Sequence, residues 1–370
     1  MGLAKSQLNS LKETLKLGQS IWVDGLMPRE DFERMIREDS LRGATTNPII
    51  FEKAIADGRA DHWMKGAEFS EEEIYKKIAM DAVQQVADVF LPVYKHTAGQ
   101  DGFVSLEVSP LLAYDTEATI GEALELYRRV NRKNIMIKIP ATAQGVPAIE
   151  RVISEGINVN VTLIFSVTRY REVMDAYLSG LEHRKMRDQG LPEIASVASF
   201  FVSRVDTAVD PLLEQKINAA SDPAQQELFK QLLGKVAIAN SKVAYAAFEE
   251  TFTQDRFRVL KAEGARAQRP LWASTGTKNP AYRDVLYVES LIGPNTVNTV
   301  PPATLDAFRD HGVAVETLTE GLEDARKILE KLAFAGIALS AVTEDLEKAG
   351  VALFKEAYLK IIQRIREKRK

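Results

Sequence analysis

The chain has 370 residues, 45% hydrophobic and 27% charged, an ordinary globular composition that excludes disordered, collagen-like and small disulfide-framed proteins. Lys plus Arg (48) nearly balance Asp plus Glu (52), for a net charge of -4, so no overall field draws the chain to nucleic acid or to an acidic lipid surface. With no cysteine and four histidines there is no thiolate metal site and no cysteine nucleophile, and neither a metal nor an organic cofactor is expected.

In chain order, short β-branched runs alternate with longer stretches of helical period, the rhythm of parallel strands joined by helices. Residues 1–19 carry lysines without the apolar run and cleavage site of a signal peptide, and read as an N-terminal helix. Strands at 20–25 and 43–46 flank a helix at 28–39; a long helix at 70–97, a strand at 103–108 and a helix at 119–130 follow. Next come a strand at 134–139, a helix at 146–155, a strand at 158–165 and a helix at 166–189. The strand at 196–202 leads to helices at 206–216 and 224–251, and strands at 270–274 and 296–300 complete the set. From 318 to 370, apolar positions at helical spacing (Val351, Phe354, Tyr358, Ile361, Ile365) mark an extension of packing helices. No run of about 18 apolar residues is present, so no bilayer-spanning segment and a cytoplasmic location are expected.

Eight strand–helix units suit either a closed (β/α)8 barrel or an open doubly wound sheet. Successive side chains on a strand point to opposite faces, and that alternation decides between them. On the fourth strand Ile135, Ile137 and Ile139 face one way and Asn134, Met136 and Lys138 the other. The third strand sets Val104, Leu106 and Val108 against Ser105, Glu107 and Ser109, and the first sets Ile21 and Val23 against Trp22 and Asp24. The fifth aligns Asn158, Asn160 and Thr162, and the eighth offers Asn298. Polar groups from five strands thus share one side. An open sheet would bury them separately at several kcal/mol each, whereas a barrel gathers them into one network. The reading is α/β, a single TIM-barrel domain over residues 1–370 with additional helices.

Lys138 inside Ile-Met-Ile-Lys-Ile-Pro is placed where water is scarce, which penalises its ammonium form and favours a nucleophilic amine able to form a Schiff base with a carbonyl substrate. A structural pairing with Glu107 is the alternative from position alone. Asp24 and Glu107 are the acid–base candidates, since Schiff-base chemistry moves protons at several steps. Thr45, Thr46, Asn47 and Thr162 can orient hydroxyls or a water, although Asn47-Pro48 also has the form of a turn or cap. Arg204 after the sixth strand and the Ser274-Thr275-Gly276-Thr277-Lys278 segment after the seventh form a candidate phosphate site, where late barrel loops commonly bind that group. The spacing of a nucleotide-binding P-loop is absent. His62, His96, His183 and His311 are scattered through helices and loops and read as surface residues.

Taken together, Trp22-Val23-Asp24, Gly43-Ala44-Thr45-Thr46-Asn47-Pro48, Val104-Ser105-Leu106-Glu107-Val108, Ile135 to Thr142, Asn160 to Ser166 and Ser199 to Arg204 with Asp206 resemble the transaldolases over most of the chain. That family moves a dihydroxyacetone unit between sugar phosphates of the pentose phosphate pathway. The resemblance implies a class I mechanism without metal or cofactor, with Lys138 as the Schiff-base lysine. Asp24 would take the proton from the donor hydroxyl as the carbon–carbon bond breaks, and Glu107 with Thr162 would manage a catalytic water. Asn47, Thr45 and Asn160 would hold the dihydroxyacetone end, and Ser199, Phe201, Arg204 and Ser274 the substrate chain and its phosphate. One departure stands out: the family's usual form has an arginine shortly after the seventh strand, where this chain has Gly276-Thr277-Lys278. Lys278 can replace its charge but not its bidentate fork. The partners implied are sugar phosphates, with a monomeric or homodimeric enzyme; the rival readings are a fructose-6-phosphate aldolase-type lyase and a non-catalytic sugar-phosphate sensor.

Overall fold

The computed structural model describes residues 9–56 and 69–369. Its strands are β1 (Gln19–Asp24), β2 (Gly43–Thr45), β3 (Val104–Glu107), β4 (Ile135–Pro140), β5 (Val159–Ile164), β6 (Ser196–Phe201), β7 (Arg269–Ala273) and β8 (Thr296–Val300). All are parallel; each pairs with the next and β8 pairs with β1, closing the sheet into a barrel in chain order. The (β/α)8 architecture read from the alternation is the one observed. Ile135, Ile137 and Ile139 are fully buried on the outer, helix-facing side of β4, each contributing about 1.5–3 kcal/mol.

The helices among the described residues are α1 (Ser10–Lys16) ahead of β1, α2 (Arg29–Asp39) after it, and α3 (Pro48–Ala56) and α4 (Glu71–His96) between β2 and β3. α5 (Thr116–Val130), α6 (Gly145–Ser154) and α7 (Val167–Met186) follow β3, β4 and β5. α8 (Ser203–Ala219), α9 (Pro223–Lys230), α10 (Val236–Thr253) and α11 (Asp255–Ala262) lie between β6 and β7, and α12 (Leu286–Glu289) precedes β8. The chain ends in α13 (Pro302–His311), α14 (Leu322–Phe334) and α15 (Leu339–Lys368).

Four differences from the sequence reading have physical causes. The N-terminal helix spans Ser10–Lys16, and Gln19 already belongs to β1; residues 1–8 lie outside the described residues. The stretch 224–251 is broken between α9 and α10, where Gly234 adopts φ +67 and a Cβ would sit 2.7 Å from the Tyr282 ring, a position only glycine fills without strain. α3 was read as a turn at Asn47-Pro48; Asn47 Oδ1 accepts from the Ile50 amide at 3.1 Å and proline suits a first helical position, so the turn is the start of a helix. On β8 it is Thr299, not Asn298, that reaches the barrel mouth; alternation then sends Asn298 to the opposite face, where its Oδ1 accepts from Thr275 at 2.9 Å.

The N-terminal ends of the strands are closed by a buried charge network. Arg269 donates to Ser20 Oγ (3.0 Å) and Asp101 Oδ1 (2.8 Å), Ser20 donates to Asp101 Oδ2 (2.8 Å), and the Trp22 indole N–H points at Asp101 Oδ1 (3.3 Å). Gly43 stands opposite Trp22 in the β1–β2 register, and a Cβ on it would lie 2.7 Å from the indole. The bulky ring fits only because its neighbour has no side chain.

Candidate active site at the barrel mouth

At the C-terminal ends of the strands the barrel opens on a cavity of about 340 Å³. Asp24 reaches it from β1, Thr45 from β2, Lys138 from β4, Thr162 from β5, Ser199 and Phe201 from β6 and Thr299 from β8. Following segments add Asn47, Lys53, Arg204, Ser274, Gly276 and Lys278, and α15 adds Phe354.

Lys138 and Glu107 are register partners on adjacent strands, so their side chains emerge side by side. Lys138 is 5% exposed; its Nζ donates to Glu107 Oε2 at 3.1 Å and to the Thr46 carbonyl at 3.2 Å. Burial pushes the Glu107 carboxyl up from its ordinary value, opposed by the charge and hydrogen bond of Lys138. Both readings left open by position are therefore realised in one pair: the amine has a structural partner and also faces the cavity. Thr46 contributes its backbone, its hydroxyl donating to the Ser105 carbonyl at 2.7 Å.

Asp24 keeps some surface toward the cavity but is otherwise enclosed by protein. Burial raises its pKa, against the lowering effects of Lys138, the Thr45 hydrogen bond, Arg204 and Lys278. Thr45 donates to Asp24 Oδ1 at 2.8 Å, and its own oxygen lies 2.7 Å from the Thr299 hydroxyl, which then acts as donor in turn. A chain of hydroxyls from two strands thus orients one carboxyl oxygen and leaves the other toward the cavity.

Thr162 Oγ1 is buried and has no hydrogen-bond partner. Such an orphan at a cavity wall is unusual, since a buried unpaired hydroxyl costs about 1–3 kcal/mol. Its position follows from an irregularity the alternation did not foresee: the β5–β6 register shifts between Val161 and Ile164, and Leu163 adopts φ +60.

The outer part of the cavity is basic. The guanidinium of Arg204 stacks 5.0 Å from the centre of the Phe201 ring, itself 5.2 Å from that of Phe165. Among the described residues no oxygen lies within hydrogen-bond reach of Arg204, Lys278 or Lys53 side-chain nitrogens. Burial works against the charge of Arg204, and Asp24 supports it. Ser274 sits at φ +56, a conformation costing a non-glycine residue roughly 1–2 kcal/mol; Ser203 holds it there by donating to its carbonyl at 2.6 Å.

Asn160 is the one expected substrate contact that the structure keeps from the cavity wall. It is fully buried, its amide donating to Ser105 Oγ (2.9 Å) and accepting from Ser199 Oγ (2.7 Å), so it braces Ser199 from below. Asp206 points away, its oxygens accepting from the Ala237 amide (2.7 Å) and the Tyr287 hydroxyl (2.9 Å). His96, His183 and His311 are exposed and do not line the cavity; His62 lies outside the described residues. Lys53 and Phe354 escaped the sequence reading because neither belongs to a strand.

The whole barrel, from within β1 to within α15, matches one family model, described as Transaldolase/Fructose-6-phosphate aldolase, over residues 21–365. The chain belongs to the transaldolase/fructose-6-phosphate aldolase family. Among its relatives, a transaldolase of Trichodesmium erythraeum is 46% identical over 333 residues, covering 88% of this chain and 87% of its own. One of Saccharopolyspora erythraea is 45% identical over 372 residues, covering 98% and 97%. One of Mycobacterium tuberculosis is 45% identical over 361 residues, covering 94% of each. Transaldolase-family relatives thus span this chain nearly from end to end, including the C-terminal helices.

Proposed function

We propose that the chain catalyses the transaldolase reaction, transferring a dihydroxyacetone unit from sedoheptulose 7-phosphate or fructose 6-phosphate to glyceraldehyde 3-phosphate or erythrose 4-phosphate through a Schiff base on Lys138. The observation that carries the reading is a buried amine on the wall of a cavity whose outer part holds an unpaired guanidinium, a reactive carbon at one end and a phosphate at the other. Glu107, 3.1 Å away, takes the ammonium proton, and the low-dielectric surroundings favour the resulting neutral pair. The amine adds to the ketone; Glu107, with Thr162 holding the departing water, protonates the carbinolamine hydroxyl as the iminium forms. Asp24 then accepts the proton of the C4 hydroxyl while the C3–C4 bond breaks, and its electron pair moves onto the iminium. An aldose phosphate leaves, and a three-carbon enamine remains on Lys138. Addition to the acceptor aldehyde, protonation of the new alkoxide by Asp24 and hydrolysis of the iminium return the free amine.

Arg204 on Phe201, with Ser274 and Lys278, binds the phosphate. The aromatic face holds the guanidinium by a cation–π contact and leaves its N–H groups available. Gly276 opens the space beside them, and Lys278 supplies a point charge. A lyase acting on the same ketose is the second reading, since the family description covers both activities; the relatives' names favour transfer. Borohydride reduction in the presence of fructose 6-phosphate, followed by peptide mass analysis, should add a reduced dihydroxyacetone unit to Lys138 and none to the Lys138→Ala variant. An unlabelled lysine in an active enzyme would end the Schiff-base reading.

A further inference from the structure

α15 has no place in the chemistry above, yet it forms one wall of the cavity. Gly350, Phe354 and Tyr358 lie four residues apart on it, a rise of about 6 Å per step, close to the strand spacing of about 4.8 Å in a sheet. They meet three successive strand ends. Gly350 lies against Leu163 of β5, so tightly that a Cβ on it would be 2.8 Å from Leu163 Cδ2. The Phe354 ring centre is 5.3 Å from Lys138 Nζ on β4. Tyr358 hydrogen-bonds Ser109, just beyond β3, and stacks edge-on against Tyr75 with centroids 5.2 Å apart. Phe354 is 3% exposed although it borders an open cavity.

We propose that α15 is part of the reaction centre: Phe354, seated by the contact of Gly350 with Leu163, shields the enamine carbon on Lys138 from water and so makes the enzyme a transferase rather than a hydrolytic lyase. This rests on the Schiff-base reading above. The enamine has two fates. Attack on an aldehyde forms the new carbon–carbon bond; protonation of the same carbon by water, with addition of the remaining hydroxide to the iminium, releases free dihydroxyacetone and Lys138 amine at a net consumption of one water. An aromatic hydrocarbon wall offers no proton and leaves no room for a bridging water beside the amine. The seat is specific. Leu163 is held at φ +60 immediately after Thr162, at the register shift of β5, and Gly350 is what lets the helix close over it. One contact therefore sets both where the Phe354 ring lies and where the orphan Thr162 hydroxyl points.

The test measures two quantities on the full-length protein with fructose 6-phosphate: dihydroxyacetone released without an acceptor, and transfer to glyceraldehyde 3-phosphate. Phe354→Ala should raise the ratio of release to transfer about tenfold or more, with borohydride labelling of Lys138 retained. Phe354→Leu, which keeps most of the apolar volume, should give an intermediate ratio and guards against a misfolded alanine variant. Gly350→Ala should raise the ratio in the same direction by displacing the helix or Leu163. Variants that melt earlier but keep the wild-type ratio, with Lys138 still labelled, would reduce α15 to a structural brace and overturn the inference while leaving the Schiff base intact. Failure of wild-type Lys138 to label at all would instead strike at the underlying reaction.

Discussion

The two ends of the barrel solve the problem of buried charge in opposite ways. At the floor, Arg269 and Asp101 meet at 2.8 Å, and Ser20 and Trp22 complete the coordination of the carboxylate. At the mouth, Arg204 leans on an aromatic ring without an anion, Thr162 has no partner, and the Asp24 and Glu107 carboxyls are both raised by burial. A satisfied network rigidifies; an unsatisfied one is free to bind. The lesson is that buried polarity marks function where the hydrogen bonding is incomplete, not where polar residues are most numerous.

The largest expected effect falls at the floor. Asp101→Ala leaves Arg269 buried without its anion, and urea unfolding should show a loss of about 3–5 kcal/mol; a loss below about 1 kcal/mol would mean that the floor is no more structural than the mouth. Arg204→Ala should do the reverse. With no ion pair to break, stability should hold or rise slightly, while KM for fructose 6-phosphate increases about 10–100-fold, the value of one charge-assisted phosphate contact. An unchanged KM would place the phosphate elsewhere.

The smallest effect concerns Asp206, which combines both regimes: fully hydrogen-bonded, yet with no cation beside it among the described residues. Burial pushes its carboxyl up to about 7 from the 3.8 of an unperturbed aspartate. The folded chain therefore keeps a proton that the unfolded chain has released, and stability should fall as pH rises from about 4 to about 7, then level off. Asp206→Asn should remove about 1–2 kcal/mol of that decline between pH 5 and pH 8 in urea titrations. Identical pH profiles for the two proteins would show that this carboxyl ionises normally when folded.

Much of this could be read from the residues because strand alternation is a local signal. Ile135, Ile137 and Ile139 against Lys138 define an inside and an outside within five positions, and the same rule aims Asp24 and Glu107 inward. The rule failed where a strand's phase depends on its neighbours, as at Asn298 and Thr299, and it cannot tell a polar residue that braces a site from one that lines it, as Asn160 shows. Arg269 and Asp101 are separated by the greater part of the chain, and nothing local in either points to the other. For Phe354, helical spacing gave burial correctly but not what the ring is buried against; that depends on the path of α15 over the mouth. The left-handed Leu163 had no sequence sign at all, because leucine carries none of the glycine or asparagine preference that usually marks such a backbone.

The plug of Trp22, Arg269 and Asp101 has a kinetic corollary. With the bottom sealed, traffic through the barrel uses a single doorway, and a chamber of about 340 Å³ accommodates one phosphorylated sugar at a time. The first aldose must depart before the second can enter, so turnover alternates between two half-reactions, and the covalently held fragment waits inside an otherwise emptied enzyme.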